Sequence, residues 1–167
     1  MTTKVNGTDN SVSAPAIVGT DTTSGIYFPT TAQVAVSISG TQVALFSSTG
    51  LNNATIVNPS ITNFTETPYS IGNSGTSQVL SLANGTFQSV TLNGNCTFTM
   101  PTATNGKSFI LIVTQDATGG RTATFTSVKW PAGSAPTITT TASTGKDILA
   151  FFADGTNWYG AIAQAFA

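Results

Sequence analysis

Apolar residues in this chain recur at a spacing of two, not at the three and four of a helix. Val34, Val36 and Ile38 alternate with Ala35, Ser37 and Ser39. The same alternation runs through Cys96-Thr97-Phe98-Thr99-Met100 and Thr122-Ala123-Thr124-Phe125-Thr126. A period of two sends successive side chains to opposite faces of an extended strand. No window sustains a helical period, and Gly and Pro break the chain too often for long helices. The pattern predicts an all-β protein.

Turn chemistry places the strands. Ile26-Tyr27-Phe28 reads as a short strand stopped by Pro29. The alternating run from Val34 leads into Gly40-Thr41, which suits a type II′ turn with Gly first, and a returning strand from Gln42 to Ser47. Further on, strands are expected at Gln78 to Leu82, Phe87 to Leu92, Cys96 to Met100, Ser108 to Thr114, Arg121 to Ser127, Thr137 to Thr140, Asp147 to Ala153 and Asn157 to Gln164. Asn93-Gly94, Gly119-Gly120 and Asp154-Gly155 lie between them and read as hairpin turns. Ile110, Ile112, Ile148 and Phe152 make two of these segments apolar on both faces, as central strands are. Residues 78–167 are therefore expected to form an antiparallel β-sandwich, jelly-roll or Greek-key like.

The rest of the chain is organised around that module. Residues 1–24 are polar, with short apolar pieces such as Ala16-Ile17-Val18, and read as an extended N-terminal arm. Residues 25–77 read as a hairpin followed by extended chain with isolated apolar anchors at Ile56, Ile61, Phe64 and Tyr69. That tail exceeds the roughly 12 to 15 residues of an ordinary loop. A lone hairpin is marginal in water, so the segment needs other strands or a second subunit. Ile17, Val18, Ile26, Tyr27, Phe28, Val34, Val36 and Ile38 are accordingly the expected assembly interface.

Composition narrows the function. Of the 167 residues 40% are hydrophobic and only 7% charged, with a net charge of −1. A monomer normally keeps itself soluble with a more charged surface, so much of this one is expected to be covered by other copies or partners. Thirty-two threonines, β-branched and hydroxyl-bearing, suit pleated strands. Clustered Lys and Arg are absent, which argues against nucleic-acid binding. No apolar run has membrane-spanning length, and the polar start carries no apolar signal core. With no His, neither a Ser-His nor a Cys-His nucleophile can be built, and the usual His and Cys metal sites are excluded. The six carboxylates are scattered, and the single Cys96 reads as a buried thiol. No catalytic residue, cofactor or metal is expected. Trp130, Trp158 and Tyr159 are the aromatics able to stack on a sugar, against a competing reading in which they pack the sandwich.

TQDATGGRTATF, KWPAGSAPTITTTA and ILAFFADGTNWYGAIAQAF together resemble a C-terminal β module of tail-fibre and other virion structural proteins of tailed bacteriophages. GTDTTSGIYFPTTAQVAVSISGTQVALFSSTG, residues 19–50, is similar to repeats in phage fibre-like proteins. The resemblance implies a non-enzymatic virion protein that assembles as a homotrimer. The shortness of the chain and its arm favour a capsid decoration or cement protein, made in the host cytoplasm and anchored to the major capsid protein on the capsid exterior. The alternative is a short tail-fibre or adhesin-type protein, partnered by tail proteins and binding host surface glycans.

Overall fold

In the computed structural model the described residues are 4–5, 11–13, 15–18, 20–30, 33–52, 56 and 58–166. Much of the expected arm lies outside them. The chain divides into two compact units, Met1–Thr62 and Asn63–Ala167.

The first unit is one sheet in chain order: β1 Lys4–Val5, β2 Ile17–Val18, β3 Gly25–Tyr27, β4 Val34–Ile38, β5 Thr41–Ser47 and β6 Gly50–Asn52. Each strand runs antiparallel to the one before. The expected β4–β5 hairpin forms, but its turn sits one residue earlier than expected. Ile38 pairs with Thr41, and the two residues between them, Ser39 and Gly40, have φ of 49° and 74°. Positive φ at both central positions is the type I′ requirement, which Gly-first spacing cannot reveal when Ser takes the other position. Within the hairpin the small residues turn inward. Ala35 and Ser37 are buried, while Val34 and Ile38 are exposed. The Ser37 hydroxyl donates to the Thr23 carbonyl at 3.1 Å and the Tyr27 hydroxyl to Gln42 Oε1 at 2.6 Å, so the polar groups on this face are partnered.

The second unit is a different construction. Its strands are β7 Tyr69–Asn73, β8 Ser77–Val79, β9 Phe87–Leu92, β10 Cys96–Thr99, β11 Ser108–Gln115, β12 Ala123–Phe125, β13 Val128–Lys129, β14 Lys146–Ala153 and β15 Trp158–Phe166. They form a six-stranded sheet, β13-β15-β14-β11-β9-β7, and a three-stranded sheet, β12-β10-β8. From β7 to β12 the chain alternates between the two. β7, β9 and β11 lie parallel in the large sheet, and β8, β10 and β12 lie parallel in the small one. Parallel neighbours cannot be joined by a tight turn, and each crossover here is the strand of the opposite sheet. Three coils of chain thus stack on one another. β14 then returns antiparallel to β11, β15 antiparallel to β14, and the short β13 lies parallel to β15 at the edge.

The protein is all-β and its second unit packs two sheets, as the sequence predicts, but the pairing in that unit departs from an antiparallel jelly roll or Greek key. Asn93-Gly94 and Gly119-Gly120 join strands of different sheets and close no hairpin. Only Asp154-Gly155 does, between β14 and β15. Gly119 is required for a further reason: its φ is 70°, and a Cβ there would lie 2.6 Å from the Thr140 carbonyl. The expected strand at Thr137 to Thr140 is an extended loop that seals this end with a buried Ile138.

The core lies between the two sheets. Val90, Leu92, Phe109, Leu111, Val113, Leu149 and Phe151 point in from the large sheet to meet Cys96, Phe98 and Phe125 from the small one. Phe98 stacks on Phe125 at 4.9 Å and Phe109 on Phe151 at 4.8 Å, geometries that add to simple burial. β11 and β14 occupy the centre of the large sheet, where their apolar character had placed them.

Candidate functional site

The residues expected to mediate assembly fall on both sides of the first sheet. Paired residues in a sheet project to the same side. Ile17 pairs with Ile26 and Ile26 with Val36, while Val34 pairs with Phe46 and Phe46 with Leu51. Ile26, Val34 and Ile38 on this side are exposed, as are Phe46 and Leu51, while Ile17 and Val36 are half-buried. Phe28, just past β3, is 41% exposed. Val18 and Tyr27 are buried inside the unit. Six of the eight are therefore placed where another surface could reach them, and two belong to the unit's own packing.

The three aromatics also separate. Trp158 is 1% exposed, sets its edge against Phe109 at 5.3 Å, and donates its indole N–H to the Pro101 carbonyl at 2.7 Å. It is a core residue with its one donor already used, not a ligand-facing one. Trp130 is half-buried, edge-on to Phe125 and Phe151. Its ring lies over Gly160, where an added Cβ would come within 2.5 Å of a ring carbon. With Pro131, Ser134, Pro136, Ala161 and Ile162 it lines a groove of about 290 Å³. Tyr159 projects to the opposite side of β15 from Trp158, stacks on Phe152 at 5.2 Å and donates its hydroxyl to Asp154 Oδ2 at 2.9 Å.

Asp154 fixes the β14–β15 turn. Its Oδ1 accepts the backbone N–H groups of Asn157 at 2.7 Å and Thr156 at 2.8 Å. These bonds, with that from Tyr159, hold the carboxyl down to about 2, against an ordinary 3.8. Because the folded value is depressed, the stabilisation is complete above pH 3.8 and is lost as the pH falls through about 2. NMR titration of the Asp154 carboxyl should give a midpoint near 2, whereas one near 3.8 would mean that the turn bonds do not form in solution.

Several other ionisable groups are engaged locally. Asp116 forms an ion pair with Arg121 at 3.0 Å, and this partner holds its carboxyl below the usual range. Glu66 accepts from Thr86 and Asp21 from Thr23 and Ser24. Burial pushes the Cys96 thiol up, away from nucleophilic character. Among the described residues no three acidic, Cys or His side chains gather as a metal site would require. No described helix is long and apolar enough to cross a membrane.

A surface not singled out by sequence reasoning lies on the outer side of the large sheet. The outward residues of β11 are Ser108, Ile110, Ile112 and Thr114, and those of β14 are Lys146, Ile148, Ala150 and Phe152. Ile110 is 38% and Phe152 56% exposed. Their apolar character was legible, yet it reads equally as a strand buried on both faces. Only the layer count of the fold distinguishes the two.

Residues 72–158, more than half of the chain, match the family model described as "Putative phage tail fibre C-terminal domain". No curated protein and no solved structure matches the chain.

Proposed function

The chain belongs to this family of phage tail-fibre C-terminal domains, and from that membership we propose that it works in the tail, as a homotrimeric fibre-type structural component without catalytic turnover. The family assignment makes it a bacteriophage structural protein and a virion component. The observation that carries the tail reading is the extent of the match, which runs from the end of β7 through β14 to the first residue of β15. The family description, a tail-fibre domain, supports the tail reading over capsid decoration.

Homotrimeric assembly is supported by apolar surface left uncovered by the chain itself. In the first unit Ile26, Phe28, Val34 and Ile38 are all more than a third exposed. Fully burying such a side chain is worth about 1.5–3 kcal/mol, so covering the exposed part of several together favours association. The groove beside Trp130 is the place for a host-surface sugar, since its ring and the prolines offer a stacking surface.

The location is tested by electron microscopy of virions labelled with an antibody against the chain. Label on the tail is expected. Label confined to the head would overturn the tail reading in favour of capsid decoration.

A further inference from the structure

We propose that the outer face of the large sheet in the second unit seats directly against a second copy of the chain, with Phe152 of one copy filling a hollow in the same face of its neighbour. This rests on the homo-oligomeric reading above and adds the surface that carries it. In register, Phe152 lies beside Tyr159, Ala150 beside Ala161, and Ile148 beside Ala163. The first pair forms a stacked aromatic knob, with Phe152 56% exposed. Immediately next to it, the alanines cannot fill their positions. They leave a depression of about 250 Å³ walled by Ile148, Ala150, Ala161, Ile162 and Ala163.

An apolar cavity of roughly 150 Å³ accommodates a benzene ring, so one phenyl side chain fits this hollow with room for a neighbouring methyl group. Knob and hollow lie on one face of one chain. Three copies that turn this face toward a common threefold axis can each place the knob in the hollow of the next, which closes a ring.

Charge points to the same occupant. The ionisable groups of this face stand at its margins: Lys146 at the far end of β14, Lys129 beside Tyr159 on the edge strand β13, and Glu66, which lines a hollow with Ile110 and Ala150. The rows of β11, β14 and β15 between these margins carry no charge, and a second copy meets them with the same uncharged rows. Its size is also suitable. Six strands about 4.8 Å apart and on average about six residues long make roughly 600 Å² in plan. Side-chain relief raises this toward the ~800 Å² per partner of a stable interface.

The test uses the full chain in sedimentation equilibrium, with Phe152→Asp to remove the knob and Ala161→Phe to fill the hollow. Each should weaken association at least tenfold while the circular dichroism stays that of the wild type. In parallel, hydroxyl-radical footprinting of the unaltered chain should show Phe152 and Tyr159 protected at high concentration and reactive on dilution. An oligomeric wild type whose variants remain oligomeric, or whose Phe152 stays fully reactive in the oligomer, overturns this interface and leaves homo-oligomerisation standing. A wild type that is monomeric throughout overturns both.

Discussion

Trp158→Ala should lower the stability of the second unit by about 3–5 kcal/mol, the range for deleting a large buried aromatic. The ring is 1% exposed and joins the aromatic cluster through Phe109. Its removal opens a cavity between the sheets and also strands the Pro101 carbonyl, which loses its donor. The adjacent Tyr159→Ala provides the contrast. Consecutive strand residues point to opposite faces, so this change leaves the core intact and should cost less than about 1 kcal/mol in the unassociated chain. Denaturant unfolding of the full chain, followed by amide exchange in β11 and β14, measures both. A Trp158→Ala loss below that of Tyr159→Ala would contradict the placement of the core.

Asp147→Ala is expected to be the second most damaging change, at about 2–4 kcal/mol from two stranded backbone donors. Asp147 is fully buried where the β14–β15 pairing shifts register between Lys146 and Ile148. Its carboxylate accepts the N–H of Thr139 at 2.6 Å and that of Ala165 at 3.0 Å. One side chain thus ties the loop carrying Ile138 to the end of β15. Gln115 works beside it, donating to the carbonyls of Arg121 and Thr139. Asp147→Asn keeps the volume and one acceptor oxygen, so its loss should be smaller. An Ala variant as stable as wild type in the same unfolding measurement would show that these bonds contribute nothing net.

The strands themselves were legible because alternation and turn residues are local. β9, β11 and β14 fall within a residue or two of their expected bounds, and Asp154-Gly155 closes the hairpin it signals. What turn chemistry cannot state is the partner of the next strand. Gly119-Gly120 bends the chain with positive φ at both residues, yet β12 leaves for the other sheet and pairs parallel with β10. Choosing that partner depends on Phe125 reaching Phe98 across a long sequence separation, which no local pattern encodes. Exposure was hidden for a related reason. Phe152 reads as a core residue in the sequence and Trp158 as either ligand-facing or core, and the single covering layer leaves the first outside and buries the second. Asp147 gave no signal beyond being a lone acid in an apolar strand.

The proposed function requires the chain to assemble with its own copies. Sedimentation equilibrium of the full chain at micromolar concentration tests this most directly. Three 17.0 kDa chains in one particle are the predicted result, and a single species of monomer mass at every concentration would contradict it.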